Sequence, residues 1–455
     1  MSTADEAFDV AVVGAGIVGA VTALLLARAG WRVVMVERRA PAIVTGRLGV
    51  DPRTLAISPG SQRLIESVDA WPAVARASAA GPCPAGAGLA QPYLHMCVWD
   101  GDGGGELRFT VDDLTPLPPV LGHIVEQSTL TSGLWRALGA RPGVTVREGT
   151  EVTALRAHGA PACAADADGL PAHRLQLAGG LGDGTQIDAR LVIAADGAAS
   201  PLRGMAGGRV DRKDTGQVAI ATIVTHALPH EDTAWQVFRA TGPLAFLPLA
   251  DAERAQPAGE MKTPHVDAGE PLHRSSIVWS CDAAYGDELL QLDDAAFRDA
   301  LASAFGGRLG VIGAIDARTR IPLVQQQATR YQPRPGVLLV GDAAHVIHPL
   351  AGQGVNLGLR DVRLLTEVLG RAPATAAERS ALLGNARLIA QYELRARTVN
   401  GLALGFMAGI QRLFASDHPL LRMLRSGGMR AVGELAPLRR QLAREAMGQG
   451  LLAEV

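Results

Sequence analysis

Runs of apolar residues with two different periods divide much of the chain into strands and helices. Small and β-branched apolar residues over 8–13 predict a buried parallel strand, and the same pattern returns at 337–340. A helix of small apolar residues is predicted over 21–29, followed by a strand that ends at Glu37. Residues 120–138 pass from a strand pattern into an amphipathic helix. Strands that alternate with helices in this way indicate an α/β fold with a parallel sheet.

The pattern changes to alternating strands over 218–279, which favours an antiparallel sheet. Two segments rich in turn-forming residues, 157–184 and 251–273, are predicted to be hairpins with long tips. Pro, Gly and Ala dominate 81–105, so we expect loop and irregular hairpin there. From residue 374 onwards helix breakers are sparse, and the C-terminal region is predicted to be mainly helical.

Composition narrows the class of protein. At 455 residues the chain is too long for one ordinary core, so two or three intertwined domains are expected. A hydrophobic content of 48% with 19% charged residues is typical of a soluble globular enzyme. The net charge of −2 gives no reason to expect nucleic acid as a partner.

The cysteines and the N-terminus indicate a reducing compartment. The chain is polar up to Phe8, so no signal peptide is predicted. The longest apolar run falls well short of the ~20 residues that a membrane-spanning helix needs. We therefore expect a cytosolic protein, at most attached to a membrane face. Without a CxxC pair or metal-ligand spacing, free thiols are expected at Cys83, Cys97, Cys163 and Cys281.

A glycine-rich turn of the GxGxxG pattern joins the first strand to the first helix. Gly14 permits the tight turn, Gly16 lets a pyrophosphate approach the backbone, and Gly19 lets helix and strand pack closely. Glu37, at the end of the second strand, can accept hydrogen bonds from both ribose hydroxyls. This unit therefore predicts a dinucleotide-binding site. Its candidate residues are Gly14, Ala15, Gly16, Ile17, Val18, Gly19, Glu37 and Arg38.

A second glycine-rich segment follows the strand over 337–340. An acidic turn at Gly341 and Asp342 leads into a loop with one proline and two glycines, and a helical pattern starts at Val355. Such a segment leaves bare backbone N–H groups and a helix dipole directed at one point. This arrangement suits an electron-rich ring or a phosphate better than a metal ion.

A third motif follows the strand over 191–195, where Asp196 and Gly197 turn the chain. In this order, the three motifs resemble the fingerprints of the class A FAD-dependent aromatic hydroxylases. The second flavin fingerprint of that family is similar to the pattern GDAAHxxxPxxGQGxN in this chain. The segment HPLAGQGVNLGLRD is most similar to the ubiquinone-biosynthesis hydroxylases of the family. The resemblance therefore implies FAD as the cofactor.

The second fingerprint is implied to hold the flavin ring. Asp342 would hydrogen-bond the ribityl chain, and Pro349 would lie beside the isoalloxazine ring. Backbone N–H groups from Gly352 to Asn356 would face the pyrimidine edge, where reduced flavin carries negative charge. The implied contributors are Gly341, Asp342, Pro349, Gly352, Gln353, Gly354, Val355 and Asn356.

Four residues outside this fingerprint are also implied to contact the cofactor. Arg53 would lie near the flavin diphosphate and the nicotinamide approach, and Gln127 near the ribityl chain and phosphate. The backbone of Val152 would lie against the adenine. Asp196 would sit over the pyrophosphate, beside the surface on which NAD(P)H binds transiently, since no second dinucleotide fingerprint is present.

The implied fold is α/β, with a Rossmann-like FAD-binding domain of the para-hydroxybenzoate-hydroxylase type. We expect this domain to be interleaved with an antiparallel-sheet substrate domain and followed by a helical segment. The FAD-binding domain is expected to comprise residues 1–80, 120–217 and 326–372. The substrate domain is expected to comprise an insertion at 81–119 and the segment 218–325, and the helical region to span 373–455.

The implied activity is hydroxylation of the aromatic ring of a polyprenylated phenol in ubiquinone biosynthesis. In the family's reaction NAD(P)H reduces FAD, and O2 then forms a flavin C4a-hydroperoxide that transfers one oxygen atom to the ring. The protein positions the ring and excludes water, so we expect no side chain to act as an acid or base. Phe238, Phe246 and Leu247 are expected to roof the substrate ring.

Two other functions stay open. One is a related hydroxylase of a soluble aromatic acid or a polyketide. The other is a non-catalytic FAD-binding component of a quinone-making assembly, which would bind flavin without coupled NAD(P)H oxidation. His345 and His348 have HxxH spacing but lie inside the flavin fingerprint, so no metal site is expected.

The C-terminal region is basic. From Gly401 to Gly450 it carries seven arginines against three acids, interleaved with Leu, Met and Phe. This charge could rest on the inner face of the cytoplasmic membrane, or it could be the solvated face of a packed helical cap. Both interpretations stay open, and a membrane-resident polyprenyl substrate favours the first. A ubiquinone-biosynthesis protein complex is a further candidate partner.

Overall fold

Two large β-sheets, one of seven strands and one of nine, form the frame of the described part of the protein. A three-stranded sheet, in the order β3-β7-β4 defined below, adds to them. The computed structural model describes residues 6–71, 90–101, 105–113, 120–158, 172–179, 185–251, 273–347, 354–415, 432 and 435–446.

Strands occur throughout most of the described part of the chain. In chain order they are β1 (Glu6–Val13), β2 (Val33–Glu37), β3 (Thr54–Ile57), β4 (Gln91–Tyr93), β5 (His95–Asp100), β6 (Glu106–Thr110), β7 (Gly122–Glu126), β8 (Val144–Glu148), β9 (Glu151–His158), β10 (Ala172–Ala178), β11 (Gln186–Ala194), β12 (Val210–His226), β13 (Thr233–Arg239), β14 (Gly242–Leu249), β15 (His273–Asp282), β16 (Ile312–Ile315), β17 (Thr319–Ala328), β18 (Val337–Leu339) and β19 (His345–Val346).

The helices lie mostly in the N-terminal and C-terminal thirds. In chain order they are α1 (Ile17–Arg28), α2 (Pro59–Glu66), α3 (Gln127–Ala140), α4 (Pro201–Met205), α5 (Ala283–Gln291), α6 (Asp294–Phe305), α7 (Gly354–Leu369), α8 (Ala376–Leu383), α9 (Ala386–Ala415) and α10 (Ala436–Ala446).

The seven-stranded sheet contains the predicted parallel strands. Its order is β8-β2-β1-β11-β10-β9, with β18 beside β11. The strands β1, β2, β11 and β18 are mutually parallel. Their C-terminal residues Val13, Glu37, Ala194 and Leu339 therefore end at the same edge of the sheet, which is where ligands bind in open α/β sheets. All three sequence motifs start at this edge.

The nine-stranded sheet has two different faces. Its order is β19-β17-β12-β15-β14-β13-β5-β6, with β16 beside β12. On one face, bulky side chains pack with those of α5 and α6 in a separate apolar core, in which the rings of Phe246 and Phe305 stack 3.8 Å apart. On the other face of β14, the alternate residues Pro243, Ala245 and Leu247 border a cavity.

The interleaved α/β architecture is confirmed, but the structure corrects three local expectations. Where loop and irregular hairpin were expected, residues 91–100 form the regular strands β4 and β5, because β5 pairs in parallel with β13 and as a hairpin with β6. The predicted boundary between 217 and 218 falls inside the continuous strand β12, and the one between 325 and 326 falls inside β17. Past the apolar core, β12 continues through the polar, exposed residues 211–214, which pair with β17. The hydrophobic pattern therefore does not reveal that the strands continue across the predicted boundaries.

Several expectations concern residues outside the described ranges. These include the tips of the two predicted hairpins, much of the basic C-terminal region, Cys83 and Cys163. Among the residues that are described, Cys97 and Cys281 are buried free thiols. No helix within the described ranges has the length and apolar character needed to cross a membrane.

Candidate active site

The GxGxxG turn is built so that only glycine fits at two of its positions. Gly14 has a φ of 98°, and a Cβ there would lie 2.4 Å from the carbonyl oxygen of Ala195. A Cβ on Gly19 would lie 1.8 Å from the carbonyl oxygen of Gly14. At Gly16, by contrast, no heavy atom lies within 4 Å of the Cβ position. The N-terminus of α1 therefore faces open space, as a site for a pyrophosphate requires.

Glu37 is fastened to this turn by backbone hydrogen bonds. The N–H of Ala15 donates to Oε2 at 2.6 Å, and the N–H of Arg39 donates to Oε1 at 2.9 Å. Each carboxylate oxygen can accept a second hydrogen bond, so the side chain is oriented and still able to receive ribose hydroxyls. Arg38 beside it is exposed.

The first and second motifs touch through Val18. A Cβ on Gly341 would lie 3.1 Å from a Val18 methyl group, and one on Gly358 would lie 2.7 Å from the other. Glycine at both positions therefore lets α7 and the acidic turn approach α1. Ile17 is buried in the core of the seven-stranded sheet, which fixes the start of α1.

Asp342 lies in the acidic turn that follows β18. Its side chain is exposed, yet protein atoms surround it closely enough for burial to raise its pKa; nearby His345 lowers the pKa and Asp361 raises it. Gly341, with a φ of 56°, donates its N–H to Oδ2 of Asp361 at 2.9 Å, which holds the turn in place.

A buried polar network supports the acidic turn from behind. Besides Gly341, Asp361 accepts a hydrogen bond from Nε2 of His345 at 2.6 Å and one from Nδ2 of Asn400 at 2.8 Å. Nδ2 of Asn400 also lies 3.2 Å from the hydroxyl of Tyr331. Burial lowers the pKa of His345, but the charge and hydrogen bond of Asp361 outweigh it, so the net shift is upward. Sequence analysis missed Asp361, although an acid at the i+4 position from buried Leu357 on an apolar helix face was a usable signal.

The third motif is tied to the second by a buried arginine. Asp196 accepts a hydrogen bond from the Ser200 hydroxyl at 2.5 Å and one from the N–H of Leu202 at 3.0 Å. Burial raises the pKa of Asp196, and these hydrogen bonds offset part of that rise. The guanidinium of Arg203 donates to the carbonyl oxygen of Ala343 at 2.7 Å, across from the acidic turn.

Arg53 and Gln127 lie together on one wall of a cavity. Buried Asp51 organises them: its carboxylate accepts the N–H of Arg53 at 2.9 Å and that of Ser128 at 3.0 Å, and it lies 3.3 Å from Nε of Arg53. The N–H of Gln127 donates to the carbonyl oxygen of Arg53 at 2.9 Å. Asp51 is a second residue that sequence analysis missed.

Asn356 and Val152 have local roles in the structure. The side chain of Asn356 accepts the N–H of Ser58 at 3.0 Å and donates to the carbonyl oxygen of Ala56 at 2.8 Å, which fastens the start of α7 to the end of β3. Val152 is half-buried in β9, opposite Leu177 of β10. Three candidate residues, Pro349, Gly352 and Gln353, lie outside the described residues.

A cavity of about 320 Å³ lies where the nine-stranded sheet meets β3 and the start of α7. Small side chains cover the sheet side, and Gly354 and Val355 reach it from α7. Apart from neighbours along the chain and its own helix, no described residue has a heavy atom within 4 Å of a Cβ on Gly354, so the described part of the chain leaves this helix N-terminus uncrowded. The residues that line the cavity are Pro52, Arg53, Thr54, Leu55, Ala56, Gln127, Ala219, Ala221, Gln236, Pro243, Ala245, Leu247, Ser276, Val278, Ser280, Ile321, Gly354 and Val355.

Of the three expected roof residues, only Leu247 lines this cavity. The side chain of Phe246 points to the opposite face of the sheet, into the core with Phe305, because neighbours on a strand alternate between faces. Phe238 is buried and by alternation shares a face with Gln236, but it does not line the cavity. Small residues, not aromatic rings, make this wall.

The residues present fit a bound FAD. Two helix N-termini with glycine at an uncrowded position, Gly16 of α1 and Gly354 of α7, suit the pyrophosphate and the electron-rich ring. Glu37 at the end of β2 would hold the ribose, and Asp342 follows β18 at the same edge of the sheet. When bound, FAD supplies the redox chemistry and the oxygen activation; the chain supplies orientation and an apolar cavity.

Comparisons with known proteins agree with this geometry. The family model for the FAD binding domain matches residues 7–387. Ubiquinone hydroxylase UbiL of Rhodospirillum rubrum is 34% identical over 98% of this chain and 91% of its own. The chain belongs to the ubiquinone-biosynthesis hydroxylase family of class A FAD-dependent enzymes. The 3-demethoxyubiquinol 3-hydroxylase of Escherichia coli, another relative of these FAD-dependent hydroxylases, is 33% identical over 97% of this chain and 98% of its own.

Solved structures give the same fold for this hydroxylase. The p-nitrophenol 4-monooxygenase PnpA from Pseudomonas putida covers 98% of this chain and 99% of its own with a TM-score of 0.69, at 19% identity. PqsL, a probable FAD-dependent monooxygenase from Pseudomonas aeruginosa, covers 94% of this chain with a TM-score of 0.65, at 20% identity. The cavity described above thus belongs to a fold shared by flavin-dependent monooxygenases.

Proposed function

We propose that this hydroxylase inserts one oxygen atom into the aromatic ring of a polyprenylated phenol in ubiquinone biosynthesis, with NAD(P)H and O2 as co-substrates. The observation that carries the proposal is the cavity of about 320 Å³ beside Gly354 and Val355, whose sheet wall is mostly apolar. Its volume lies within the range of about 300–1,000 Å³ that is usual for small-molecule sites. The near full-length similarity to hydroxylases of this pathway supports the choice of substrate.

The lining explains how the chain would serve this reaction. Ala219, Ala221, Ala245 and Val278 offer a flat apolar wall against which a ring can lie, and they exclude water from it. Ile321 lines the cavity and is 41% exposed, so it marks the mouth through which a prenyl tail would leave. Arg53 is the single ionisable side chain among the lining residues that the structure describes. The reaction therefore depends on position and exclusion of water rather than on a side-chain base.

The test is mass spectrometry of quinone intermediates in cells that lack the gene. We expect accumulation of a prenylated phenol short of one ring hydroxyl, and its disappearance when the gene is restored. A gene carrying Ala245→Phe, which would fill the cavity, should not restore the pathway even though the protein still binds FAD. Normal ubiquinone without such an intermediate would contradict the proposal and favour a soluble aromatic substrate.

The basic C-terminal region supports a location on the inner face of the cytoplasmic membrane. Arg440 is exposed, whereas Arg439 is held by an ion pair with Asp113 at 2.5 Å, so some of the charge serves contacts within the protein. Co-sedimentation with vesicles tests this location. Binding to phosphatidylglycerol vesicles that weakens with salt is expected; equal recovery with neutral phosphatidylcholine vesicles would favour a helical cap and a cytosolic protein.

A further inference from the structure

Gln236 is a buried polar residue without a hydrogen-bond partner for its side chain in the described part of the protein. It is 7% exposed and lines the cavity from β13. Two other polar side chains of the lining contact each other: the hydroxyl of Ser276 lies 2.6 Å from that of Thr54. Gln236 is not among the described side chains whose polar atoms are sealed without a partner, so its amide opens on the cavity. Such a group in a ligand cavity indicates that the ligand completes its hydrogen bonds.

The register of the sheet shows what surrounds this amide. Ala221 lies opposite Val278, Val278 opposite Ala245, and Ala245 opposite Gln236. These four side chains form one row across four neighbouring strands, on the face that borders the cavity. With roughly 4.8 Å between strands, the apolar section of the row spans about 10 Å before it reaches Gln236. A ring that lies on the apolar section can direct one substituent at the amide.

The chemistry of the amide limits what that substituent can be. Glutamine offers two N–H donors and a carbonyl acceptor and carries no charge, so it matches a hydroxyl or an ether oxygen. A carboxylate would need a positive partner to offset its loss of hydration. Among the described lining residues only Arg53 is positive, and it lies on the opposite wall, 3.3 Å from Asp51. The row with Gln236 therefore favours a neutral oxygenated ring over an aromatic acid.

We propose that Gln236 is a specificity-determining residue that hydrogen-bonds an uncharged oxygen substituent of the substrate ring. This inference rests on the proposed function, because it names the recognition element for that substrate. It also bears on one alternative drawn from the sequence: a hydroxylase of neutral oxygenated rings uses this amide, and a hydroxylase of aromatic acids does not.

Ligand binding to the FAD-loaded enzyme tests this assignment. The probes are 2-prenylphenol, prenylbenzene and 2-prenylbenzoate, and the change in flavin absorbance on titration gives each dissociation constant. For the unmodified enzyme we expect 2-prenylphenol to bind more tightly than prenylbenzene by about threefold to tenfold, as one hydrogen bond allows. We expect 2-prenylbenzoate to bind no more tightly than prenylbenzene. Tighter binding of the benzoate would overturn the proposal.

Two variants decide whether Gln236 causes this preference. In Gln236→Leu the ratio of the phenol and benzene dissociation constants should fall to about one, because prenylbenzene binds as before and the phenol loses its partner. Gln236→Met keeps the length of the side chain and gives the same result if the leucine variant does not fold. Flavin content and melting temperature are measured first for both. A variant that retains the wild-type ratio would overturn the proposal.

The test of the role of Gln236 and the test of the proposed function can fail independently of each other. An enzyme that binds 2-prenylphenol through Gln236 but does not hydroxylate it contradicts the proposed function and leaves the recognition role intact. An enzyme that hydroxylates it with the same ratio of affinities before and after Gln236→Leu supports the proposed function and overturns the role of Gln236.

Discussion

Asp361 is the residue that holds the acidic turn behind the flavin site. It is fully buried in α7, and its two oxygens receive hydrogen bonds from the backbone of Gly341 and from the side chains of His345 and Asn400. A buried carboxylate is stable only with partners of this kind. The turn that carries Asp342 is thus positioned by a residue that does not reach the cavity.

Replacing Asp361 with Asn should destabilise the protein in a pH-dependent way. Loss of one partner of a buried ion pair costs about 3–5 kcal/mol. Because Asp361 raises the folded-state pKa of His345 above its unfolded value of about 6.5, the pair's contribution is complete below that pH. The contribution is lost as the pH rises through the folded-state pKa. Urea unfolding should therefore show a larger difference between the two proteins at about pH 6 than at about pH 9.

The matched control for this change is Asp287→Asn, which removes the carboxylate of an exposed pair with Arg320. Surface changes of this kind fall within about 0.5 kcal/mol. An Asp361→Asn protein that unfolds like the wild type at both values of pH would show that the network does not stabilise the turn.

At the residue scale, the sequence predicts the glycines and the acidic residue of the turns better than the buried residues that hold those turns in place. Gly14, Gly19 and Asp342 stand in local motifs whose spacing alone identifies them. Asp361 and Asp51 act on partners that the fold brings near, such as Asn400 on another helix and Ser128 77 residues away from Asp51. The spacing of residues within a helix or strand carries no information about partners so far away in the sequence. From sequence, such residues can be recognised only as polar residues at positions where the pattern expects an apolar one.

At the element scale, the two outer glycines of the α1 turn and the middle one serve different purposes. Gly19 is required for packing, since a Cβ would lie 1.8 Å from Gly14. Gly16 has a φ of −64° and open space around its Cβ position, so alanine fits there in the protein alone. The structure therefore separates folding from cofactor binding within one short motif.

Two single substitutions test this separation. Gly19→Ala should lower the melting temperature of the apoprotein, because α1 must shift at a cost of about 1–3 kcal/mol. Gly16→Ala should leave that temperature unchanged but weaken FAD binding by about tenfold or more, since the methyl group occupies the approach of the pyrophosphate. Quenching of FAD fluorescence gives the affinity. Gly139→Ala, at an exposed position with open space around the Cβ, is the control. Wild-type FAD affinity in Gly16→Ala would refute the role of Gly16 in pyrophosphate binding.

The two faces of a buried strand cannot always be told apart from its sequence pattern. β14 has the sequence GPLAFLPL, in which both alternating sets are apolar. Its pattern predicts a buried strand correctly but does not tell which set faces the cavity, and Phe246 was therefore expected on the wrong side. The polar exception Gln236 on the neighbouring strand carries that information, because an amide on the face packed against α5 and α6 would be closed off from ligand and water.

At the scale of the whole molecule, the proposed cofactor site is assembled from distant segments of the chain. β1, β2, β11 and β18 bring Gly14, Glu37, Asp196 and Asp342 to one sheet edge, although these residues are spread over most of the sequence. The nine-stranded sheet, with its separate core on one face, borders the cavity with the other, beside Gly354 and Val355 of α7. A ligand that contacts all of these segments binds the folded chain and not the unfolded one.

FAD should therefore stabilise the entire fold. At a free concentration of one hundred times its dissociation constant, binding to the folded state adds about 2.7 kcal/mol. We expect the melting temperature of the apoprotein, followed by circular dichroism, to rise by several degrees when FAD is added. FMN is the control ligand: it lacks the adenosine and the pyrophosphate that the GxGxxG turn and Glu37 would hold, so its effect at equal concentration should be much smaller. An equal rise with FMN would mean that the α1 turn contributes little to binding, and no rise with FAD would contradict the assembly of the site described here.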